Sequence, residues 1–191
     1  MSRVSVAVLD HGMGNLRSVA KALERAGGDV AVTSDPRRIA SSDALCVPGQ
    51  GIFGRCMGTL ASTGLDDVVR AWIGDERPYL GICLGMQVLF DLSEERGERK
   101  GLSIVEGRVE RLCGPVRVPH IGWNLVNETY FYFDHSFCAH PADDSIVAGW
   151  CEHGERFAAW IERGAISAVQ FHPEKSAGAG IEVLRRWLET A

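Results

Sequence analysis

The 191-residue chain has no run of basic residues, no Lys/Arg-rich helix and no basic patch interleaved with aromatics, and its formal net charge is -5. A polyanion would find no electrostatic footprint, so no nucleic-acid partner is expected. A long apolar stretch is also missing: Met1-Ser2-Arg3-Val4 runs straight into a short strand, without the segment a signal peptide or membrane span requires, and a cytosolic protein is expected. The six cysteines, at 46, 56, 83, 113, 138 and 151, include no C-x-x-C pair, and no histidines cluster at metal-ligand spacing. Neither a disulfide framework nor a zinc site is indicated, and no cofactor is expected. Linkers, internal repeats and low-complexity segments are absent too. With 46% hydrophobic and 24% charged residues, the chain can bury one substantial core, which predicts a single domain over 1–191.

What is present is an alternation of strand and helix. Val4 to Leu9 reads as a strand, Leu16 to Ala26 as a helix, Val30 to Thr33 and Ala44 to Val47 as further strands, with Cys46 a core-strand thiol. Leu65 to Ile73 reads as a helix with Val68, Val69 and Trp72 on one face, followed by a strand over Tyr79 to Ile82. Such alternation builds a parallel sheet. From about Ile104 to Phe171 the runs become short and β-rich: Gly107 to Leu112, Tyr130 to Phe133, Ile146 to Trp150 and Phe157 to Ile161 read as mixed or antiparallel strands that extend or cover the sheet. Gly180 to Leu188 closes as a helix with Ile181, Leu184, Trp187 and Leu188 inward.

One local pattern carries chemistry. In Gly81-Ile82-Cys83-Leu84-Gly85 a cysteine stands between two glycines where a strand hands over to a helix, the arrangement of a nucleophile elbow. The turn is so tight that only hydrogen-sized neighbours fit two residues either side, which Gly81 and Gly85 supply. The following helix, read from Met86, Val88, Leu89 and Phe90 and ending near Asp91-Leu92-Ser93, would favour thiolate over a free thiol of pKa about 8.5. Taken alone, the pattern also fits a buried structural cysteine.

A thiol nucleophile needs a base within reach and a group that orients the base. At the end of the apolar run Ala165 to Phe171 stand His172-Pro173-Glu174-Lys175-Ser176. Pro173 biases His172 toward an extended conformation, so residues two apart can point the same way and Glu174 can hold the imidazole tautomer. By itself this could be a surface His-Pro turn; with the elbow it supplies the two missing roles. Asp10-His11-Gly12, Pro48-Gly49, Cys83 and His172 all fall at carboxyl ends of strands, where open α/β sheets place their sites.

The order of elbow Cys83 and C-terminal His172-Pro173-Glu174 resembles the class I, triad-type glutamine amidotransferases. Gly14-Asn15-Leu16-Arg17-Ser18, Pro48-Gly49-Gln50-Gly51, Pro119-His120-Ile121-Gly122-Trp123-Asn124 and His172 to Ser176 resemble, within it, the glutaminase-subunit family of imidazole glycerol phosphate synthase. The resemblance implies a flavodoxin-like three-layer α/β sandwich, with a mostly parallel central sheet and an added β-rich segment. It also implies glutamine as substrate and a γ-glutamyl thioester on Cys83. Ammonia would pass to a separate (β/α)8-barrel cyclase, the heterodimer partner, which makes imidazole glycerol phosphate and AICAR.

The oxyanion of that chemistry needs two donors. The backbone N–H of Leu84 is one, and by resemblance the Gln50 amide is the other, after a peptide rotation that Gly49 and Gly51 make sterically cheap. Gln50 departs from the small apolar residue usual there. Resemblance further assigns Gly49, Gly51, Gln87, His135 and Ser136 to glutamine binding, with Asp134 and Phe137 departing from the commoner valine and tyrosine. Trp123 and Lys175 would face the partner. Two alternatives stay open: the same glutaminase serving another synthase, of surface-sugar, anthranilate or pyridoxal phosphate type, and a non-catalytic interaction subunit of the same fold.

Overall fold

The computed structural model describes residues 3–191; Met1 and Ser2 lie outside the described residues. The first half alternates as the apolar runs predict: β1 (Ser5–Leu9), α1 (Leu16–Ala26), β2 (Asp29–Thr33), α2 (Pro36–Ala40), β3 (Ala44–Gly49), α3 (Phe53–Thr63), α4 (Leu65–Gly74), β4 (Tyr79–Cys83) and α5 (Leu84–Gln87). The second half is mostly strand: β5 (Phe90–Ser93), β6 (Arg99–Lys100), β7 (Val105–Arg111), β8 (His120–Val126), β9 (Thr129–His135), β10 (Phe137–Pro141), β11 (Val147–His153), β12 (Glu155–Arg163) and β13 (Ile166–Val169), before α6 (Ala177–Leu188).

The large sheet runs β2-β1-β3-β4-β13-β12-β10-β7-β5-β6, with β11 branching from β12. From β2 to β13 every pairing is parallel. Parallel strands buried on both faces need apolar side chains at every position, and β3 is buried throughout. Alternate residues serve the two faces: Val6, Val8, Ala44 and Cys46 join α1 and α6, whereas Ala7, Leu9, Leu45 and Val47 join α2, α3 and α4. Helices on both faces of a sheet make the three layers of the α/β class. No described helix is long and apolar enough to cross a membrane.

Beyond β13 the sheet turns antiparallel through β12, β10 and β7. β8 and β9 form a separate hairpin that covers the α6 side of the sheet, burying Phe131 and Phe133 against Phe171 and Phe157. The short β-rich runs therefore do both things expected of them.

One element differs from the sequence reading. The helix after Cys83 is a single turn, and Phe90–Ser93 is a strand beside β7. Val88, Leu89 and Phe90 are all fully buried, whereas a helix at a protein surface presents one apolar stripe. An uninterrupted apolar run fits either element by periodicity, and burial on every side decides for the strand. The chain then folds back so closely that a Cβ on Gly101 would lie 2.1 Å from the Phe90 carbonyl oxygen.

Candidate active site

Two clefts of similar size border the parallel strands. One, of about 480 Å3, lies at the amino ends of β4 and β13, between Pro78, Ile166, Trp160 and Trp187, and is lined by no cysteine or histidine. The other, of about 400 Å3, lies at the carboxyl ends and is lined by Gln50, Gly51, Cys83, Leu84, Gln87, Glu95 and the segment Asp134–Phe137. The second is where loops of an open α/β sheet converge, and only it holds a reactive thiol.

Cys83 has φ 54° and ψ −106°, a conformation that L side chains rarely adopt. Such a residue costs on the order of 1–3 kcal/mol and persists where its surroundings over-determine it. The surroundings here are backbone. A Cβ on Gly85 would lie 1.7 Å from the Val47 carbonyl oxygen, and one on Gly81 would lie 2.6 Å from that of Gly85. Both glycines are therefore steric necessities of the elbow. Gly49 is needed too, because a Cβ there would meet Leu84 Cβ at 2.8 Å.

His172 and Glu174 are in direct contact. His172 Nδ1 donates to Glu174 Oε1 at 2.9 Å, with both side chains 2% exposed. His172 is extended, as Pro173 demands, but Glu174 lies in a 3-10 turn over Pro173–Lys175 rather than along an extended segment. His172 Nε2 is buried without a hydrogen-bond partner among the described residues. Burial opposes charge on this imidazole, yet the Cys83 sulfur and the Glu174 carboxylate together outweigh it and raise the pKa to about 10. A histidine that keeps its proton at neutral pH beside a sulfur is equipped to protonate a leaving amine and then to act as base.

Several parts escaped the sequence reading. Gln170 Nε2 donates to Cys83 Sγ at 3.5 Å, and its Oε1 accepts from Gln87 Nε2 at 2.9 Å. Gln87 Nε2 also donates to the Phe137 carbonyl at 2.9 Å, so Gln87 lines the cleft but spends its amide on the scaffold. Ser176 Oγ donates to the His172 carbonyl at 2.7 Å and accepts from Tyr132 N at 2.9 Å, tying the triad turn to β9. His11, buried, donates from Nε2 to the Pro48 carbonyl at 2.6 Å and so anchors the start of the Gly49-Gln50-Gly51 loop. Glu95 brings a carboxylate to the cleft and accepts from Phe53 N at 2.7 Å. All but Ser176, which sits four residues from His172, lie far in sequence from the residue they support, and no local pattern announces those contacts.

Gln50, Gly51, Leu84, His135 and Ser136 line the cleft, whereas Gly49 does not and instead borders a separate small cavity with Pro48, His172 and Glu174. The His135 ring is already engaged, by the Phe137 carbonyl at Nδ1 and by His120 at Nε2. Burial depresses its pKa to about 3, which removes it as a substitute base and leaves backbone as its contribution to a ligand. Trp123 is exposed, together with Ile121, Leu125 and Tyr130 on the same hairpin. Lys175 is partly exposed and lies 3.6 Å from Asp134.

The family model described as glutamine amidotransferase class-I matches residues 7–190. The chain is 44% identical to the imidazole glycerol phosphate synthase subunit HisH of Nocardia farcinica, across the full length of both. It is 42% identical to the chloroplastic imidazole glycerol phosphate synthase hisHF of Arabidopsis thaliana, covering 96% of this chain and 34% of that longer protein. A crystal structure described as a glutamine amidotransferase superposes with a TM-score of 0.76 at 20% identity, covering 97% of this chain and 99% of the other, a likeness of fold.

Proposed function

The chain belongs to the class-I glutamine amidotransferases, and on that premise we propose that Cys83, His172 and Glu174 release ammonia from the side-chain amide of glutamine. Full-length likeness to HisH subunits makes it the glutaminase subunit of imidazole glycerol phosphate synthase, in histidine biosynthesis. The observation that carries the chemistry is the strained Cys83 beside an imidazole held at 2.9 Å by a buried carboxylate.

The Cys83 sulfur attacks the carboxamide carbon, and the carbonyl oxygen takes the negative charge. The Leu84 N–H at the start of α5 is the first donor to that oxyanion; the Gln50 amide, between Gly49 and Gly51, is the second. Collapse expels the nitrogen, which takes a proton from His172 and leaves as ammonia, with a γ-glutamyl thioester on Cys83. Water then attacks the thioester, giving its proton to His172, and glutamate and the free sulfur are restored. Glu174 holds the imidazole with Nδ1 protonated, so Nε2 faces the reaction. The Glu95 carboxylate suits the substrate's α-ammonium, and the backbone at His135 and Ser136 suits its α-carboxylate.

Ammonia then passes to a partner synthase subunit, which we take to be a (β/α)8-barrel cyclase in a heterodimer that acts in the cytoplasm. Trp123 with its apolar neighbours on the β8–β9 hairpin, and Lys175 beside it, form the docking face in this reading. The test is steady-state glutamine hydrolysis by the chain alone, with the cyclase, and with cyclase plus a substrate analogue. At least about a hundredfold stimulation in the third case is expected, the worth of one oxyanion donor brought into place. Equal rates in all three would remove the gating by the Gln50 loop while leaving the triad intact. Failure of this chain to sustain glutamine-dependent turnover with its cyclase would overturn the assignment.

A further inference from the structure

A second group of cysteine, histidine and glutamate lies outside the cleft, at the antiparallel end of the sheet. Cys138 and His140 stand two apart on β10, so their side chains share one face. Glu155 opens β12, which pairs with β10 through Ala139 and Ala158. Cys138 Sγ lies 3.4 Å from His140 Nε2, and the same nitrogen lies 3.6 Å from Glu155 Oε2. All three donor atoms fall within 4.8 Å of one another.

This is not a second triad. In a relay the imidazole meets its carboxylate through one nitrogen and its thiol through the other. Here thiol and carboxylate converge on a single nitrogen, which carries at most one proton and can serve only one of them well. Three donors aimed at one point is what a cation resolves. The spacings fit: ligands at about 2.0–2.3 Å in a tetrahedron stand about 3.5 Å apart. The far oxygen of the carboxylate is also fixed, since Cys113 N donates to Glu155 Oε1 at 2.7 Å. Supporting bonds of this kind orient metal ligands. The tetrahedron's fourth position is left to water, as in sites with three protein ligands. Glu110, opposite Cys138 on β7, adds negative charge.

We propose that Cys138, His140 and Glu155, with water in the fourth position, form a zinc-binding site separate from the glutaminase centre. The mixed sulfur, nitrogen and oxygen set favours zinc over the hard cations that prefer all-oxygen cages. Binding displaces the proton of the buried Cys138 thiol to solvent, and the partly exposed His140 and Glu155 give the ion its approach. The site would clamp β10 to β12 in the antiparallel part of the sheet. The proposal does not depend on the glutaminase reading.

Because Cys83 could itself capture zinc, binding is measured in the full-length Cys83→Ala variant, after chelator treatment and titration with zinc sulfate against a competing indicator. One equivalent per chain is expected. Adding His140→Ala or Cys138→Ser should weaken it at least about a hundredfold, since each removes a direct ligand. His140 is partly exposed, so its replacement leaves the core packed even if Cys138→Ser perturbs it. Titration with cobalt chloride should give a thiolate charge-transfer band that Cys138→Ser abolishes. No zinc bound by Cys83→Ala, equal binding after His140→Ala, or cobalt binding without that band would each overturn the proposal.

Discussion

The chain contains two constellations of the same three residue types, Cys83/His172/Glu174 and Cys138/His140/Glu155, and they differ in which ring nitrogen meets which partner. In the first, Nδ1 is taken by Glu174 and Nε2 is left facing the sulfur side of the site. In the second, Nε2 faces sulfur and carboxylate together. A histidine with its two nitrogens divided can pass a proton; one with both partners on a single nitrogen can only share a ligand with them. Backbone strain follows the same division, since Cys83 is at positive φ whereas Cys138 sits in a regular ladder. Residue identity alone does not distinguish a nucleophile from a bystander.

The comparison can be broken most directly by exchanging the roles of the two thiols. Cys83→Ala should lower glutamine hydrolysis by at least about 10^4-fold while ammonia-dependent synthesis by the partner continues. Cys138→Ser should keep hydrolysis within about threefold of the parent chain. Steady-state assays with glutamine and with ammonium salts check both; a Cys138 variant as damaged as the Cys83 one would erase the distinction.

Next in size is the dissection of the relay. His172→Asn should remove turnover almost entirely, whereas Glu174→Gln, which loses orientation and charge but not the base, should leave measurable activity. An active His172→Asn variant would sink the relay. His135 offers no substitute base, with both ring nitrogens occupied.

The strain of the elbow can be tested by stability. Gly85→Ala places a methyl 1.7 Å from the Val47 carbonyl oxygen, and should destabilise the chain by about 3 kcal/mol. Cys138→Ser, with no such clash, should cost less. Denaturant melts compare the two, and an unaffected Gly85→Ala variant would show that the elbow is more yielding than its geometry suggests.

The smallest expected effect concerns acid. Burial depresses the pKa of His120 to about 4 and that of His135 to about 3, against about 6.5 in an unfolded chain. Between these values the unfolded state binds protons that the folded state refuses, so the contribution of these two groups to stability is constant above about pH 6.5 and falls as pH drops toward 3. His120→Gln should flatten this acid limb in melting temperatures measured against pH. An unchanged limb would assign the acid sensitivity elsewhere.

The elbow and the His-Pro-Glu string are legible in sequence because each is local: tight turn, glycine spacing and proline bias all act within five residues. Gln170, His11 and Glu95 are not legible, because each acts across 37 to 87 positions of chain. The β8 strand, absent from the runs read as strands, shows a different limit. Its alternating Ile121, Trp123 and Leu125 have the pattern of a core-facing strand, yet that side is turned to solvent. Periodicity reports that one face differs from the other, not which way it points.

Alternating apolar runs determined the parallel half of the sheet, and short-range sterics determined that Cys83 would stand on an elbow with glycines around it. The tertiary structure alone decided that the run after Cys83 is one helical turn and a strand, since burial on all sides is a property of neighbours. It also decided the fate of the other cysteines. Cys113 is exposed beside Glu155, and Cys138 meets His140 and Glu155 across two strands. Strand pairing in the antiparallel extension brings those groups together, and pairing between segments distant in the chain is a long-range choice that leaves no mark on residue spacing.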